Sequence, residues 1–158
     1  MSNTKIARFR KAALGGAAAA AVALPLALSA GPAQAATLNG CTVTPLQPVR
    51  IGTLGGVPLL RFDTRVSCLK DRIVQIIDQR YESDPPAGVA GDDFLGQTVH
   101  LRTFAVNGTV IVSARDLVPN TEPGWEEVYH RTAFRVATIG GVTPFTPYQN
   151  SPLRAVAI

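Results

Sequence analysis

The feature that most constrains the fold is a regular alternation of side-chain character along several segments of the chain. Over residues 60–68, apolar or small side chains occupy every second position, with charged or polar ones between them. Residues 125–138 show the same period, with Val, His, Thr, Phe and Val on one face. A period of two is typical of a β-strand with one buried face. The alternation therefore predicts an all-β chain.

Two chain reversals between such segments predict β-hairpins. The first joins residues 60–68 to residues 72–83, and apolar side chains on both faces of the second arm indicate a central strand with a bulge. The second is Asn107-Gly108, between residues 97–106 and 109–114. This pair favours a type I′ turn, because both positions need a positive φ. With Thr109 it also forms a glycosylation sequon.

The remaining segments complete a prediction of six or seven strands. Residues 36–50 form a first strand region broken by Pro45 and Pro48, and residues 153–158 add a last edge strand. We find no internal repeat and no amphipathic helix. Residues 36–158 then predict a single antiparallel β-sandwich, immunoglobulin-like in size and architecture. The likeness is architectural only, because Trp125 follows both cysteines, and closure into a barrel is an alternative.

The first 35 residues predict a secretory signal peptide. Four basic residues precede an apolar stretch over residues 12–30, and Ala33-Gln34-Ala35 supplies the small-x-small pattern of a cleavage site. Cleavage after Ala35 would place residues 36–158 outside the cell. A retained transmembrane anchor is the alternative, although glycines and a proline interrupt the apolar stretch.

Removing that leader changes the charge balance. Four of the 15 Lys and Arg residues, and none of the 11 Asp and Glu residues, precede residue 36. The mature chain is therefore balanced in charge, and the basic character of the precursor belongs to its leader. No Lys/Arg run remains that would favour a nucleic-acid partner.

Cys41 and Cys68 are the only cysteines in the chain. An even number in an oxidising compartment predicts one disulfide, which for a loop of this length stabilises the fold by roughly 3 to 4 kcal/mol. Residues 38–41 also have the outline of a lipoprotein box, so lipidation of Cys41 is an alternative that would leave Cys68 unpaired. A disulfide would consume both thiols, which argues against a cysteine nucleophile.

The two histidines are the candidates for catalysis. His100 and His130 are the only side chains whose ordinary pKa lies near neutrality, and a hydrolase would pair one of them with a carboxylate such as Asp63, Asp92 or Glu127. The alternative is a hydrogen-bonded core histidine. No recognised catalytic motif supports the enzyme, and two histidines alone would not fill a zinc site.

Four carboxylates around a glycine-containing loop are candidates for ion binding: Glu82, Asp84, Asp92 and Asp93. Calcium takes six to eight oxygen ligands, many of them from such groups. Calcium is the only cofactor that the sequence suggests. The alternative is a set of solvated carboxylates, because the Asp-x-Asp-x-Asp-Gly spacing is absent.

Aromatic side chains are candidates for a binding surface. Tyr81, Trp125, Tyr129 and Tyr148 could contact sugar rings or a protein partner, since amphipathic aromatic residues are favoured at interfaces. The alternative for Trp125 is that it caps the sandwich core.

These observations favour a secreted, non-catalytic binding module whose partner is an extracellular protein or a cell-envelope glycan. A small extracellular hydrolase using His100 or His130 with a carboxylate is the alternative. A secreted protease inhibitor is a further alternative, and it would present residues 84–93 to a protease cleft.

Overall fold

The structure is a computed structural model, and it describes residues 32–83, 92–119 and 125–157. These residues form eleven β-strands and no helix. Seven strands have five residues or more: β2 (Cys41–Pro45), β3 (Val49–Leu54), β4 (Val57–Cys68), β5 (Arg72–Ser83), β6 (Asp93–Phe104), β7 (Gly108–Leu117) and β8 (Trp125–Thr138). Four are shorter: β1 (Ala36–Leu38), β9 (Gly141–Val142), β10 (Gln149–Asn150) and β11 (Arg154–Ala157). The predicted strands correspond to β2, to β4 through β8 and to the short β11, whereas β3 lies largely beyond the predicted first strand region.

The strands form two antiparallel sheets that pack face to face, as predicted for a β-sandwich. In the first sheet, β4 is central: β7 lies along one edge, and β2 and β3 follow one another along the opposite edge. In the second sheet, β5 lies between β6 and β8. After β8 the chain turns back, and β9, β10 and β11 run along the free edge of β8.

The predicted alternation accounts for the core. β8 begins and ends at the predicted residues, and its inward side chains, Val128 to Val136 at every second position, are buried. The inward residues of β4, from Leu60 to Cys68, are buried in the same way. Side chains from both sheets form two apolar clusters, one around Phe134 and one around Phe62. The two inner faces thus supply the buried surface that stabilises the fold.

The predicted hairpin between residues 60–68 and 72–83 is wrong in its pairing. β4 belongs to the first sheet and β5 to the second, so residues 69–71 connect two sheets. Each arm has one buried face, and the arms pack these faces together: Val66 and Val74 lie in the same apolar cluster. β5 is central, as predicted. The register irregularity lies between Arg80 and Tyr81, where β5 pairs with β6.

The predicted hairpin at Asn107-Gly108 is also wrong. β6 lies in the second sheet and β7 in the first, and neither residue of the pair has a positive φ. The Asn107 side chain instead accepts a 2.7 Å hydrogen bond from the backbone N–H of Lys70. The Asn-Gly pair that forms a two-residue turn is Asn39-Gly40, with φ values of 47° and 78°. A type I′ turn requires these values, and the turn joins β1 to β2.

The predicted disulfide between Cys41 and Cys68 is present. The two cysteines are register partners on β2 and β4, which are neighbouring strands of the first sheet. The bridge therefore joins two strands within one sheet, whereas the immunoglobulin bridge joins two sheets. Because the Cys41 sulfur is bonded to Cys68, lipidation of Cys41 does not fit this structure.

The predicted leader lies almost wholly within residues 1–31, outside the part of the chain that the structure describes, so export stays a prediction. Among the residues with described coordinates, no helix has the length and hydropathy to cross a membrane.

Candidate binding face

The interior of the sandwich contains a histidine–carboxylate pair. His130 on β8 and Asp78 on β5 are fully buried, and the imidazole Nδ1 lies 3.0 Å from Asp78 Oδ1. The imidazole Nε2 lies 2.8 Å from the carbonyl oxygen of Leu46. Because a carbonyl oxygen only accepts, Nε2 carries a proton, and a second proton lies between Nδ1 and the carboxylate. Both ring nitrogens are therefore occupied. The acid that pairs with His130 is Asp78, which the sequence reasoning had not named.

His100 lies on β6 and also faces the interior. Burial lowers its pKa, because removal from water disfavours the charged ring; the positive charges of Arg102 and Arg80 act in the same direction, and Asp78 opposes them. The imidazole is therefore neutral at pH 7. His130 has no exposed surface and His100 is 9% exposed, so this arrangement suits a structural role.

A second buried polar contact joins the two sheets. Arg80 on β5 donates from Nε to Asp116 Oδ2 on β7 at 3.0 Å, and from Nη1 to Thr98 Oγ1 at 3.0 Å. The guanidinium also lies 5.9 Å from the ring centroid of Phe62. Gly96 makes this contact possible, since a Cβ there would lie 2.7 Å from both Arg80 Nη2 and Asp116 Oδ2. The alternation along β5 predicts that Arg80 faces inward. Nothing in the nearby sequence predicts that its partner is Asp116, which lies in the other sheet.

Two of the acids proposed as histidine partners lie elsewhere. Asp63 accepts hydrogen bonds from Arg61 Nε at 2.9 Å and from Ser113 Oγ at 2.6 Å. Glu127 lies on the outward side of β8, whereas His130 points inward. The structure brings neither acid to a histidine.

The three predicted ion-binding carboxylates that are described lie at the end of β5 and the start of β6, where Glu82 and Asp93 are register partners. Glu82 is buried on the inner side of β5, and Asp93 is exposed on the opposite strand. Asp92 accepts a 2.6 Å hydrogen bond from the hydroxyl of Tyr129. Within residues 32–83, 92–119 and 125–157, no group of three or more His, Cys, Asp or Glu side chains could hold a metal. Asp84 lies outside the described residues, so calcium binding stays a prediction.

The outward face of β6, β5 and β8, which we call the outer face, carries a row of aromatic side chains. Phe94, Tyr81 and Tyr129 are register neighbours on the three strands. The rings of Tyr81 and Tyr129 stack with centroids 5.4 Å apart, and Phe94 meets Tyr81 edge-on at 5.5 Å. Burial and the hydrogen bond to Asp92 raise the pKa of Tyr129, which therefore keeps its proton. The row is rigid because each ring contacts a neighbour.

A polar row lies beside the aromatic row. Gln79 donates to Gln97 Oε1 at 2.8 Å and accepts from Arg131 Nε at 3.0 Å, which links β6, β5 and β8. Arg131 Nη2 donates to the hydroxyl of Tyr81 at 2.7 Å. The guanidinium lies 4.7 Å from the ring centroids of both Tyr81 and Tyr148. Arg131 is thus held by two aromatic rings and two hydrogen bonds.

A similar arrangement recurs four residues along β8. Arg135 donates from Nε to Gln75 Oε1 at 2.7 Å, and its guanidinium lies 4.9 Å from the ring centroid of Phe145. We call each such set an arginine clamp: Arg131, Gln79 and Tyr148 form clamp 1, and Arg135, Gln75 and Phe145 form clamp 2. A groove of about 170 Å³ adjoins clamp 2 and is lined also by Ile73, Leu101, Ala137 and Val142.

The aromatic residues of both clamps come from a tandem sequence, Thr-Pro-Phe-Thr-Pro-Tyr, at residues 143–148. The N–H of Thr143 donates to the carbonyl of Val136, and the N–H of Thr146 donates to the carbonyl of Phe134. Each threonine hydroxyl accepts the N–H of the same β8 residue. This stretch therefore repeats a three-residue unit, and each copy binds β8 once through its threonine.

The structure brings together three of the four predicted aromatic residues. Tyr81, Tyr129 and Tyr148 meet around Arg131, and sequence reasoning missed Phe94. Trp125 is 71% exposed on the same outward side of β8, so it does not cap the core. Phe94 follows the acidic loop at the start of β6. Strict alternation from the inward-facing His100 would place Phe94 inward as well, and the register shift beside Arg80 and Tyr81 turns it outward, so no local signal in the sequence reveals it.

The fold and this face define a disulfide-bonded antiparallel β-sandwich with arginine and aromatic side chains on one outer face. No protein-family model matches the chain, and no curated protein matches it. Among solved structures, the chain is similar to β-glucosidase 3B from Thermotoga neapolitana, determined in complex with α-D-glucose, with a TM-score of 0.38 and 14% sequence identity. The match covers 75% of this chain and 17% of that chain.

Proposed function

We propose that this protein is a secreted, non-catalytic module that binds a glycan of the cell envelope or the surrounding medium through its outer face. The observation that carries the proposal is the contiguous surface of Phe94, Tyr81, Tyr129 and Tyr148 beside a row of hydrogen-bonding side chains. A sugar presents C–H faces and hydroxyl edges. Aromatic rings suit the first, and amide and guanidinium groups suit the second.

The rings of this surface have different parts in the proposal. Tyr81 and Tyr129 are half-buried and stack on each other, so they form its floor. Phe94 is 57% exposed and Tyr148 is 38% exposed, so these two rings offer most of the contact area. Because all four are held by strands or by segments bonded to strands, binding would cost little ordering of the protein.

Export is supported by the predicted leader and by the disulfide. A disulfide between Cys41 and Cys68 persists in an oxidising compartment. A hydrolase is less well supported, because His130 and its partner Asp78 have no exposed surface. A protease inhibitor would act through residues 84–93, most of which lie beyond the described part of the chain.

The test is binding of the purified protein to a panel of immobilised polysaccharides and peptidoglycan fragments. We expect retention by at least one glycan, and at least tenfold weaker binding after Phe94→Ala with Tyr148→Ala, which corresponds to about 1.4 kcal/mol. Ile111→Ala is the matched control, because Ile111 is exposed on β7 of the other sheet. Retention by a protein alone, or equal loss in the control, would contradict the proposal.

A further inference from the structure

The two arginine clamps share one geometry. In each, Nε of an arginine on β8 donates to a glutamine on β5, and an aromatic ring from residues 143–148 lies against the guanidinium. Arg131 and Arg135 are four residues apart on one strand, so their Cα atoms are separated by about 13 Å. Both arginines are on the outward side of β8, because Thr132 and Phe134 face inward and successive residues of a strand face opposite sides.

Both guanidinium groups keep donors that no described residue uses. An arginine has five N–H donors. Hydrogen bonds to other described residues occupy two donors of Arg131 and one of Arg135. The ion pairs among the described residues involve Arg61, Arg80 and His130, so neither clamp has a carboxylate partner there. The Nη atoms are therefore available for a bidentate contact with an anion.

The clamps are also preorganised. The guanidinium orientation is determined by a bond at Nε and a ring on its face, so the entropy of the long side chain is already reduced. The rings themselves are anchored, because Thr143 and Thr146 bind the β8 backbone around Pro144 and Pro147. Each clamp thus fixes its arginine with both a hydrogen bond and an aromatic ring, which favours a binding role over simple coverage of apolar surface.

From this geometry we infer that the ligand of the outer face is an acidic polysaccharide whose uronic-acid carboxylates bind the two arginine clamps. This inference rests on the proposed glycan function and specifies its substrate class. A uronic acid carries its carboxylate directly on a sugar ring, so one unit can contact both a guanidinium and its adjacent aromatic ring. Because the clamps are further apart than the width of one sugar, the ligand is an oligomer.

The charges of the surrounding face determine where the polymer lies. Asp92 and Glu127 are near the Tyr129 end of the outer face, and the arginines follow in the direction of Arg135. The carboxylates of the protein would repel an acidic polymer at the Tyr129 end, and the arginines would attract it between Arg131 and Arg135. The uronic-acid carboxylates therefore lie from Tyr148 towards the groove at clamp 2, and the polymer contacts Phe94 only through the C–H face of a sugar ring.

The experiment measures affinity of the purified protein for polygalacturonate, alginate and hyaluronate, each beside its methyl-esterified, neutral form. We expect at least tenfold tighter binding of one acidic polymer than of its ester, and weakening as salt rises from 50 to 500 mM. Arg131→Gln with Arg135→Gln should remove that preference, and Arg131→Lys with Arg135→Lys should restore only part of it, because lysine lacks the planar fork. Arg65→Gln is the control, since Arg65 is exposed on β4 of the other sheet.

The outcomes separate this inference from the function on which it rests. Equal affinity for acidic and ester forms, or binding of neutral glycans alone, would overturn the acidic ligand and leave glycan binding standing. Binding neither to these polymers nor to any glycan of the panel used for the proposed function would overturn both. Binding to anionic lipid vesicles without binding to acidic polymers would also overturn the inference. An unchanged preference in a folded Arg131→Gln, Arg135→Gln protein would refute the clamps as the site.

Discussion

Removal of the Asp116 carboxylate should destabilise the protein more than removal of its partner Arg80. The side chain of Arg80 is 5% exposed, whereas that of Asp116 is 28% exposed. Asp116→Ala therefore leaves a guanidinium charge in the interior, where water cannot replace the lost anion. Breaking a fully buried pair in this way costs about 3 to 5 kcal/mol, and we expect about 3 kcal/mol because water reaches the Asp116 side.

The converse substitution should cost less. Arg80→Met fills most of the same volume and leaves a carboxylate that water can partly hydrate. It also loses the bond to Thr98, so we expect a cost of about 1 to 1.5 kcal/mol. The double variant should resemble Arg80→Met alone, because no buried charge then remains. The coupling between the two sites is thus about 3 kcal/mol.

Urea denaturation followed by circular dichroism measures these differences, provided that the slope with denaturant stays constant. Arg61→Met is the comparison: Arg61 pairs with Asp63 at 2.9 Å, and the two side chains are 40% and 12% exposed. Because Ser113 still donates to the Asp63 carboxylate, we expect a cost of about 1 kcal/mol. The reasoning is refuted if Asp116→Ala costs no more than Arg80→Met, or if the two costs add in the double variant.

Three further predictions test other features. Cys41→Ser with Cys68→Ser should lower the free energy of unfolding by roughly 3 to 4 kcal/mol. Reduction of the wild-type protein should lower it by the same amount, as measured by urea denaturation. Because burial lowers the pKa of His100, the unfolded chain binds its proton first as the pH falls through 6.5, so stability should decrease there. His100→Gln should flatten the dependence of Tm on pH between 7.5 and about 5; an unchanged slope would contradict it. Gly40→Ala, at φ 78°, should cost at least about 1 kcal/mol, whereas Gly108→Ala, at a negative φ, should change stability by under about 0.5 kcal/mol.

Local patterns predicted the strands themselves well. The alternation over residues 125–138 predicted both ends of β8 and the inward residues from Val128 to Val136, because a half-buried strand presents successive side chains to opposite environments; it did not name Glu126, which is also buried. The even count of cysteines predicted the disulfide. The aromatic surface was predicted in part, since Tyr81 and Tyr129 lie on the outward positions of neighbouring strands.

The pairing of strands could not be predicted in the same way. The turn signals at residues 69–71 and Asn107-Gly108 marked real reversals of the chain, but both reversals connect two sheets. A reversal of this kind and a hairpin turn can use similar residues. The difference arises from whether the arms pack face to face or bond edge to edge, and that depends on the other strands available to each arm.

The arginine clamps also could not be predicted from local sequence. Residues 143–148 repeat a triplet that is visible in the printed sequence, yet its rings gain a role only where β8 presents Arg131 and Arg135 beside them. Likewise, no spacing along the chain relates Asp78 to His130, which are 52 positions apart.

The amino-acid sequence by itself determined which segments are extended, which side of each is buried and that two thiols are present to form a bridge. These properties depend on residues within a few positions of one another. Only the tertiary structure decided which strands share a sheet, which buried charges meet and which side chains surround the arginines of the outer face. Those contacts join residues far apart along the chain, and they follow from how two half-buried sheets cover one another, which no local period encodes.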